Sequence, residues 1–171
     1  MSKDNIKVML LADQLKQAAE ILQAVMADVP NEVVLAVPAG SANTVAANAA
    51  HAVTSIDGLI NGLIRGAAPV LMSEPTGLSE PAPMGGDWGD WGRSVQVDVE
   101  ALGAYAGKVM KSVAEYMGTL SDADLERSIA APSGFETSVE GWFSLTILNT
   151  AWHTGEIASL KGTHGLKGYP F

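Results

Sequence analysis

The chain contains no cysteine, and this absence excludes disulfides, thiolate zinc sites and cysteine nucleophiles. No uninterrupted run of about 18 apolar residues occurs, so no transmembrane helix is expected. The first residues lack the basic segment, apolar run and small-residue cleavage site of a secretory signal. We therefore expect a cytoplasmic protein. Nucleophile elbows of the Gly-x-Ser-x-Gly type, P-loops and dinucleotide fingerprints are also missing from the sequence.

Positive charge is scarce as well. Ten basic residues stand against 19 acidic ones, which gives a net charge of −9. Such a surface repels nucleic acid and anionic membranes, so neither is expected as a partner. The length of 171 residues and a hydrophobic share of 47% are typical of one globular domain with a real core, residues 1–171.

Apolar residues recur at helical spacing in four segments, and the sequence predicts helices at about 6–29, 41–65, 98–120 and 138–161. No segment alternates with period two for long enough to predict a sheet. Four helices of about 20 residues, each with one apolar face, predict an all-α fold, a four-helix bundle.

A connection of about 30 residues, 67–96, joins the second and third of these helices and is rich in proline and glycine. Loops of this length are usually functional or disordered, and one can cross a bundle from end to end. Trp88 and Trp91 are unexpected on a free loop because large aromatic side chains favour burial. They could anchor the crossover on the bundle, cover a pocket or form part of a dimer contact.

The fourth helix places three polar side chains on one face. His153 follows Asn149 by four residues and precedes Glu156 by three, so all three are predicted to lie on one face of the helix, the face that should point inward. His51 lies on the second helix, at the flank of its apolar arc. Polar groups at core positions need partners because burying them alone is costly. The four residues could form a hydrogen-bonded network in the core, or they could surround a metal or a substrate.

Three stretches together resemble the DinB-like superfamily of four-helix bundles. They are Ala-Asn-Ala-Ala-His51-Ala-Val in the second helix, Leu120-Ser-Asp-Ala-Asp-Leu-Glu-Arg before the fourth, and His153-Thr-Gly-Glu-Ile-Ala-Ser-Leu-Lys at the end of the fourth. The resemblance covers almost the whole chain and is strongest in the fourth helix and its tail. It does not extend to the loop around Trp88 and Trp91. It implies a DinB-like bundle with a long crossover between helices two and three.

The resemblance also implies a divalent metal, often nickel or zinc, held by one histidine from helix two and an H-x-x-x-H pair from helix four. Characterised relatives include thiol-dependent S-transferases and maleylpyruvate isomerases, and many form homodimers. By position, His51 matches the first ligand and His153 the last, while Asn149 occupies the middle position. An amide oxygen is a weaker donor than imidazole for late transition metals, so this exchange is expected to lower affinity.

Three outcomes are open for this site. Asn149 could ligate through its oxygen, Glu156 could assist directly or through a water, or the site could have lost its metal. The first hypothesis is a metal-dependent transferase, isomerase or hydrolase in which Glu156 is a general base or orients a ligating histidine. The alternatives are a small-molecule-binding module with a degenerate site and a homodimer of structural use, with the tryptophan loop at its interface.

Overall fold

The computed structural model describes residues 5–83 and 88–171, and residues 84–87 of the predicted crossover lie outside the described part. The helices are α1 (Ile6–Met26), α2 (Asn31–Val34), α3 (Val45–Ile56), α4 (Gly89–Ser94), α5 (Val99–Met117) and α6 (Val139–Thr163). A π-helical segment, Asp57–Ile64, continues α3 without a break. Two strands, β1 (Ser128–Ala130) and β2 (Glu136–Ser138), precede α6. Within these described residues, no helix is long and apolar enough to span a membrane.

Side-chain caps fix the starts of α3 and α6. Thr44 accepts from the backbone N–H of Ala47 at 3.1 Å, which begins α3 four residues later than the predicted start at residue 41. Ser138 plays the same part for α6 by accepting from the N–H of Gly141 at 3.1 Å. Such a cap satisfies one of the N–H groups that a helix leaves unpaired at its first turn.

The fold is a bundle of α1, α3, α5 and α6, in which α6 packs against both α1 and α3, and α5 packs against α3 and its π-helical extension. Fully buried side chains from all four helices form the core, among them Leu15, Val25, Ile60, Val109, Phe143 and Ile157. The four-helix bundle predicted from the apolar periodicity is confirmed.

Helices α1 and α6 run parallel, as contacts at both ends establish. Near their starts, Lys7 forms an ion pair of 3.4 Å with Glu140. Near their ends, the ammonium of Lys161, which is fully buried, donates to the carbonyl of Val25 at 2.8 Å and to the carboxylate of Asp28. Neighbouring parallel helices require a long connection elsewhere, and the crossover between α3 and α5 supplies it.

The start of the crossover is tied to the bundle by Asp57, which is completely buried. Its carboxylate accepts from the N–H groups of Val70 and Leu71, both at 2.9 Å, from the hydroxyl of Tyr105 at 2.7 Å and from Asn61 at 2.8 Å. Four donors compensate a buried charge that would otherwise be very costly.

The hairpin of β1 and β2 was not predicted. Its strands pair antiparallel with Ser128 opposite Ser138 and Ala130 opposite Glu136. Each strand has only three residues, which is too short for the period-two alternation that reveals a strand in a sequence.

Candidate functional site

Helices α3 and α6 bring two histidines together inside the bundle. The rings of His51 and His153 meet edge to face, with their centroids 4.8 Å apart. His153 is buried and His51 is partly buried. The two imidazoles, which the sequence places on separate helices, therefore lie side by side.

The ring of His153 is held from both sides by its own helix. Its Nδ1 lies 2.7 Å from a carboxylate oxygen of Glu156, and its Nε2 lies 3.2 Å from Nδ2 of Asn149. A carboxylate only accepts hydrogen bonds, so in the neutral ring the proton resides on Nδ1. The lone pair of Nε2 then points toward the amide of Asn149.

Several buried side-chain polar atoms, Asn43 Oδ1 and Trp91 Nε1 among them, have no partner in the described part of the chain, and three lie on α3 and α6. Nδ1 of His51, Oδ1 of Asn149 and Oδ1 of Asn48 are all buried in this way. Asn48 precedes His51 by one helical turn on α3. An unsatisfied buried polar atom costs about 1–3 kcal/mol, so three of them on α3 and α6 indicate a place where a ligand supplies the missing contacts.

Burial also fixes the charge of His51. Loss of solvent, and to a smaller extent the nearby His153, lowers the pKa of His51 from 6.5 to about 4. The ring is therefore neutral at pH 7, and a neutral imidazole is the form that can bind a metal.

Trp88 covers the two histidines, and Trp91 packs against Trp88. Trp88 stacks on His51 with the ring planes 7° apart and the centroids 4.4 Å apart, and it meets His153 edge to face at 5.7 Å. Trp91 is buried beside it, at 5.8 Å from Trp88. Of the alternatives that the sequence left open, these contacts favour anchoring of the crossover on the bundle.

Helix α4 is fastened to the start of α3, and this attachment positions the tryptophans. The N–H of Thr44 donates to the carbonyl of Gly92 at 2.9 Å, and Arg93 donates to the carbonyl of Ala42 at 2.7 Å. Gly92 lies so close to Asn43 that an added Cβ would stand 2.2 Å from its side-chain oxygen. A larger residue at this position would require the side chain of Asn43 to shift.

The structure therefore brings together His51, Asn149 and His153 and places Glu156 at the edge of the group. The side chain of Glu156 is 56% exposed, so the expectation that it points inward is wrong, although it still reaches His153. Sequence reasoning did not single out Asn48 as a site residue. Its spacing of three from His51 is the only signal that could have found it.

These residues fit a divalent transition metal by their chemistry. Among the described residues, no group of three or more histidine, cysteine, aspartate or glutamate side chains is arranged to hold an ion. The possible donors at this site are instead two imidazoles and one amide. Imidazole nitrogens bind zinc at about 2.0–2.1 Å, and rings 4.8 Å apart are close enough to share one such ion. Rotating the Asn149 amide by half a turn exchanges its nitrogen for the unpartnered oxygen. The oxygen then lies beside Nε2 of His153, where the amide nitrogen now stands.

Comparison with known proteins supports the fold. Residues 14–157 match the family model of the DinB superfamily. The crystal structure of a conserved protein from Enterococcus faecalis superposes with a TM-score of 0.76 at 17% identity, over 92% of this chain and 95% of that one. YfiT from Bacillus subtilis, described as a probable metal-dependent hydrolase with an unusual four-helix bundle topology, superposes with a TM-score of 0.66 at 16% identity, over 98% and 91%. The search of curated proteins gives no significant match.

Proposed function

The chain belongs to the DinB superfamily, and we propose that it is a divalent-metal-dependent enzyme acting on a small molecule. The observation that carries the proposal is the meeting of His51 and His153 at 4.8 Å, with a buried nitrogen of His51 and the buried oxygen of Asn149 left without partners. The relative described as a probable metal-dependent hydrolase supports it.

In this proposal, His51, His153 and Asn149 hold the ion. Two imidazole nitrogens favour zinc, nickel, copper or iron, and the amide oxygen is the weakest of the three donors. When bound, the ion supplies Lewis-acid chemistry that lowers the pKa of a water or a low-molecular-weight thiol. The ion-binding side chains are neutral in this state, so they leave the full positive charge of the ion available to the substrate.

Glu156 orients His153 in this proposal. By accepting from Nδ1 of His153 at 2.7 Å, it fixes the tautomer and directs Nε2 toward Asn149. The alternative is that its exposed carboxylate serves as a general base, which would need a water to bridge it to the side of the ring that carries Nε2. Trp88 shields the two imidazoles from water and offers an apolar ring to a substrate.

The reaction class within this proposal is hydrolysis, or transfer or isomerisation that depends on a thiol. The partners are a small-molecule substrate or thiol and a second copy of the chain, and the location is the cytoplasm. The net charge of −9 argues against nucleic acid as a partner.

The test begins with protein purified without an affinity tag and supplied with nickel or zinc. We expect close to one equivalent of bound metal in the wild type, and less than a tenth in His153→Ala. His164→Ala is the matched control, because His164 lies exposed after α6. Ester hydrolysis and thiol transfer are then assayed on the same proteins with and without a chelator. The proposal would be contradicted if the wild-type protein bound less than a tenth of an equivalent of metal at a saturating metal concentration.

A second candidate function is a small-molecule-binding module that has kept the bundle and lost the metal. The observation that favours it is the contact of 3.2 Å between the Asn149 amide and His153 Nε2, since this amide satisfies the ring without any ion. Activity that is insensitive to a chelator, or ligand binding by metal-free protein with no turnover, would favour this candidate.

A further inference from the structure

Two buried polar atoms have no partner and no part in the proposed metal site. Nε1 of Trp91 is a hydrogen-bond donor and Oδ1 of Asn48 is an acceptor, and neither is bonded to any atom of the described residues. Trp91 is 8% exposed and Asn48 is 2% exposed, so bulk water does not reach them. Leaving such groups unpaired is costly, and their presence in a folded chain indicates a function.

The contact between α4 and α3 has a defined direction. At one end Trp88 stacks on His51, with the ring centroids 4.4 Å apart. At the other end the carbonyl of Gly92 accepts from the N–H of Thr44 at 2.9 Å. Because Trp88 precedes Gly92 while His51 follows Thr44, α4 runs antiparallel to the first two turns of α3.

Trp91 and Asn48 lie in the middle of this contact. Trp91 is one turn after Trp88 on α4, and the two rings are 5.8 Å apart. Asn48 is one turn before His51 on α3, and its backbone N–H donates to the carbonyl of Thr44 at 3.1 Å. The unpaired donor and the unpaired acceptor therefore lie in the same stretch of the α3–α4 contact, beside the histidines, without bonding to each other.

A third unpaired atom of this region, Oδ1 of Asn43, has another explanation. It lies against the open side of Gly92, at the place where a Cβ would stand if that residue were larger. A weak C–H···O contact with the Cα of Gly92 is available to it there. Asn43 is therefore not needed to explain what Trp91 and Asn48 bind.

The surroundings favour a neutral ligand group over an ion. Helix α3 contains no lysine, arginine, aspartate or glutamate. On α4, the guanidinium of Arg93 donates to the carbonyls of Pro38 and Ala42, and Asp90 is exposed. The carboxylate of Glu156, beside the histidines, would repel an anion. Burying an ion without a counter-charge is costly, so an ionised group is disfavoured here.

We propose that Trp91 and Asn48 form a polar subsite that binds a neutral carboxamide group of the substrate. A carboxamide has an oxygen that accepts from Nε1–H of Trp91, and on the next atom an NH₂ that donates to Oδ1 of Asn48. A carboxylate or a ketone of the same size supplies the acceptor but no donor. Trp91 and Asn48 bind and position the substrate and take no part in the chemistry.

This inference rests on the proposed function for the reaction itself. The subsite holds one end of the substrate, and the reacting group lies at His51 and His153, one helical turn away from Asn48. Binding of a carboxamide at Trp91 and Asn48 does not require the ion, so the two proposals are tested separately.

The indole N–H signal of Trp91 in a ¹⁵N-correlated NMR spectrum tests the subsite directly. Metal-free protein is titrated with acetamide, acetate and acetone, which are similar in size, and Trp91→Phe identifies the signal. We expect acetamide to shift it saturably, with a dissociation constant about tenfold or more below those of the other two probes. The signal of Trp142, whose N–H already donates to the carbonyl of Ile129 at 2.9 Å, should not move.

Asn48→Leu removes the acceptor while keeping the size of the side chain. It should weaken acetamide binding about tenfold. It should leave the free protein at least as stable as the wild type, because an unpaired polar group is replaced by an apolar one of similar shape. Asn31→Leu, on the exposed surface of α2, is the matched control and should not change acetamide binding. Trp91→Phe removes only the donor and should weaken acetamide similarly, as read from the Trp88 signal.

Four results would overturn the inference. They are equal affinities for the three probes, tighter binding of acetate, a clear loss of stability in Asn48→Leu, and no shift of the Trp91 signal with any probe, which would mean that water alone occupies the subsite. Nickel or zinc uptake is measured on the same preparations. Acetamide binding without metal uptake rejects the metal site and leaves the subsite, and metal uptake without acetamide binding rejects the subsite alone.

Discussion

The imidazoles of His51 and His153 meet edge to face at 4.8 Å, although the two residues are 102 positions apart in the sequence (153 − 51). Burial keeps His51 neutral by lowering its pKa to about 4. Glu156 orients His153 through Nδ1 at 2.7 Å. The ring nitrogens of these two histidines are the donors of the proposed metal site, and imidazole suits a transition metal.

Replacing Asn149 by histidine tests the role of Asn149, the weakest of the three proposed metal donors. Asn149→His supplies an imidazole nitrogen where the amide now stands, and it should raise nickel or zinc affinity by on the order of tenfold or more. Competition with a coloured chelator measures the change. Asn31→His, on the exposed surface of α2, is the matched control and should leave the affinity of this site unchanged. Unchanged affinity in Asn149→His would show that position 149 does not face the ion.

Glu156 should act on the metal through His153. Glu156→Gln removes the negative acceptor at Nδ1 and should lower metal affinity by about 10- to 100-fold, as is typical when the partner of a ligating histidine is lost. The exposed Glu115 on α5 supplies the control, Glu115→Gln. Equal metal affinities in Glu156→Gln and Glu115→Gln would show that Glu156 does not act on the metal through His153.

The depressed pKa of His51 predicts a pH dependence of stability in metal-free protein. Between pH 6.5 and 4 the unfolded chain binds a proton at this histidine while the folded chain does not. The free energy of unfolding should therefore fall as the pH is lowered through this range. After a discount for solvent screening of the partly exposed ring, the loss is on the order of 2 kcal/mol.

Urea unfolding at several pH values, in the presence of a chelator, measures this loss. His51→Gln cannot titrate, so its curve should decline less than that of the wild type over the same window. Other groups, such as Asp28, contribute to both curves and cancel in the difference. Parallel curves for the two proteins would mean that His51 titrates alike in the folded and unfolded states.

The buried hydroxyl of Tyr105 is predicted to stabilise the start of the crossover. Its hydrogen bond to Asp57 is 2.7 Å long, and burial together with this carboxylate raises the pKa of Tyr105 far above its ordinary value. Tyr105→Phe should cost about 1.5–3 kcal/mol in the free energy of unfolding, as for other hydrogen bonds to charged groups. Tyr169→Phe, on the exposed tail, should cost much less. A similar loss in both variants would argue against a special role for Asp57.

The features that follow from helical periodicity alone could be predicted from the sequence. The four long helices follow from apolar residues at helical spacing, and the spacing of Asn149 and His153 correctly predicts their contact. The prediction that Glu156 points inward is wrong. A residue three positions from His153 is rotated toward the flank of α6, and its side chain reaches solvent.

Other features depend on contacts between segments far apart in the chain. Nothing local indicates that Trp88 stacks on His51, since the stack requires α4 to dock on the start of α3. The sequence likewise does not indicate that Trp152 is exposed, because tryptophan side chains usually favour burial. The positions of Trp88 and Trp152 depend on how segments distant in the sequence pack together, and sequence patterns give little information about such packing.

The most direct measurement of the central claim is a crystal structure of tag-free protein grown with zinc or nickel, with anomalous data collected at the metal edge. We expect one strong peak within the bundle, about 2.0–2.1 Å from a ring nitrogen of His51 and from a ring nitrogen of His153. A map with metal only at surface carboxylates or at His164, and none between these two rings, would contradict the account.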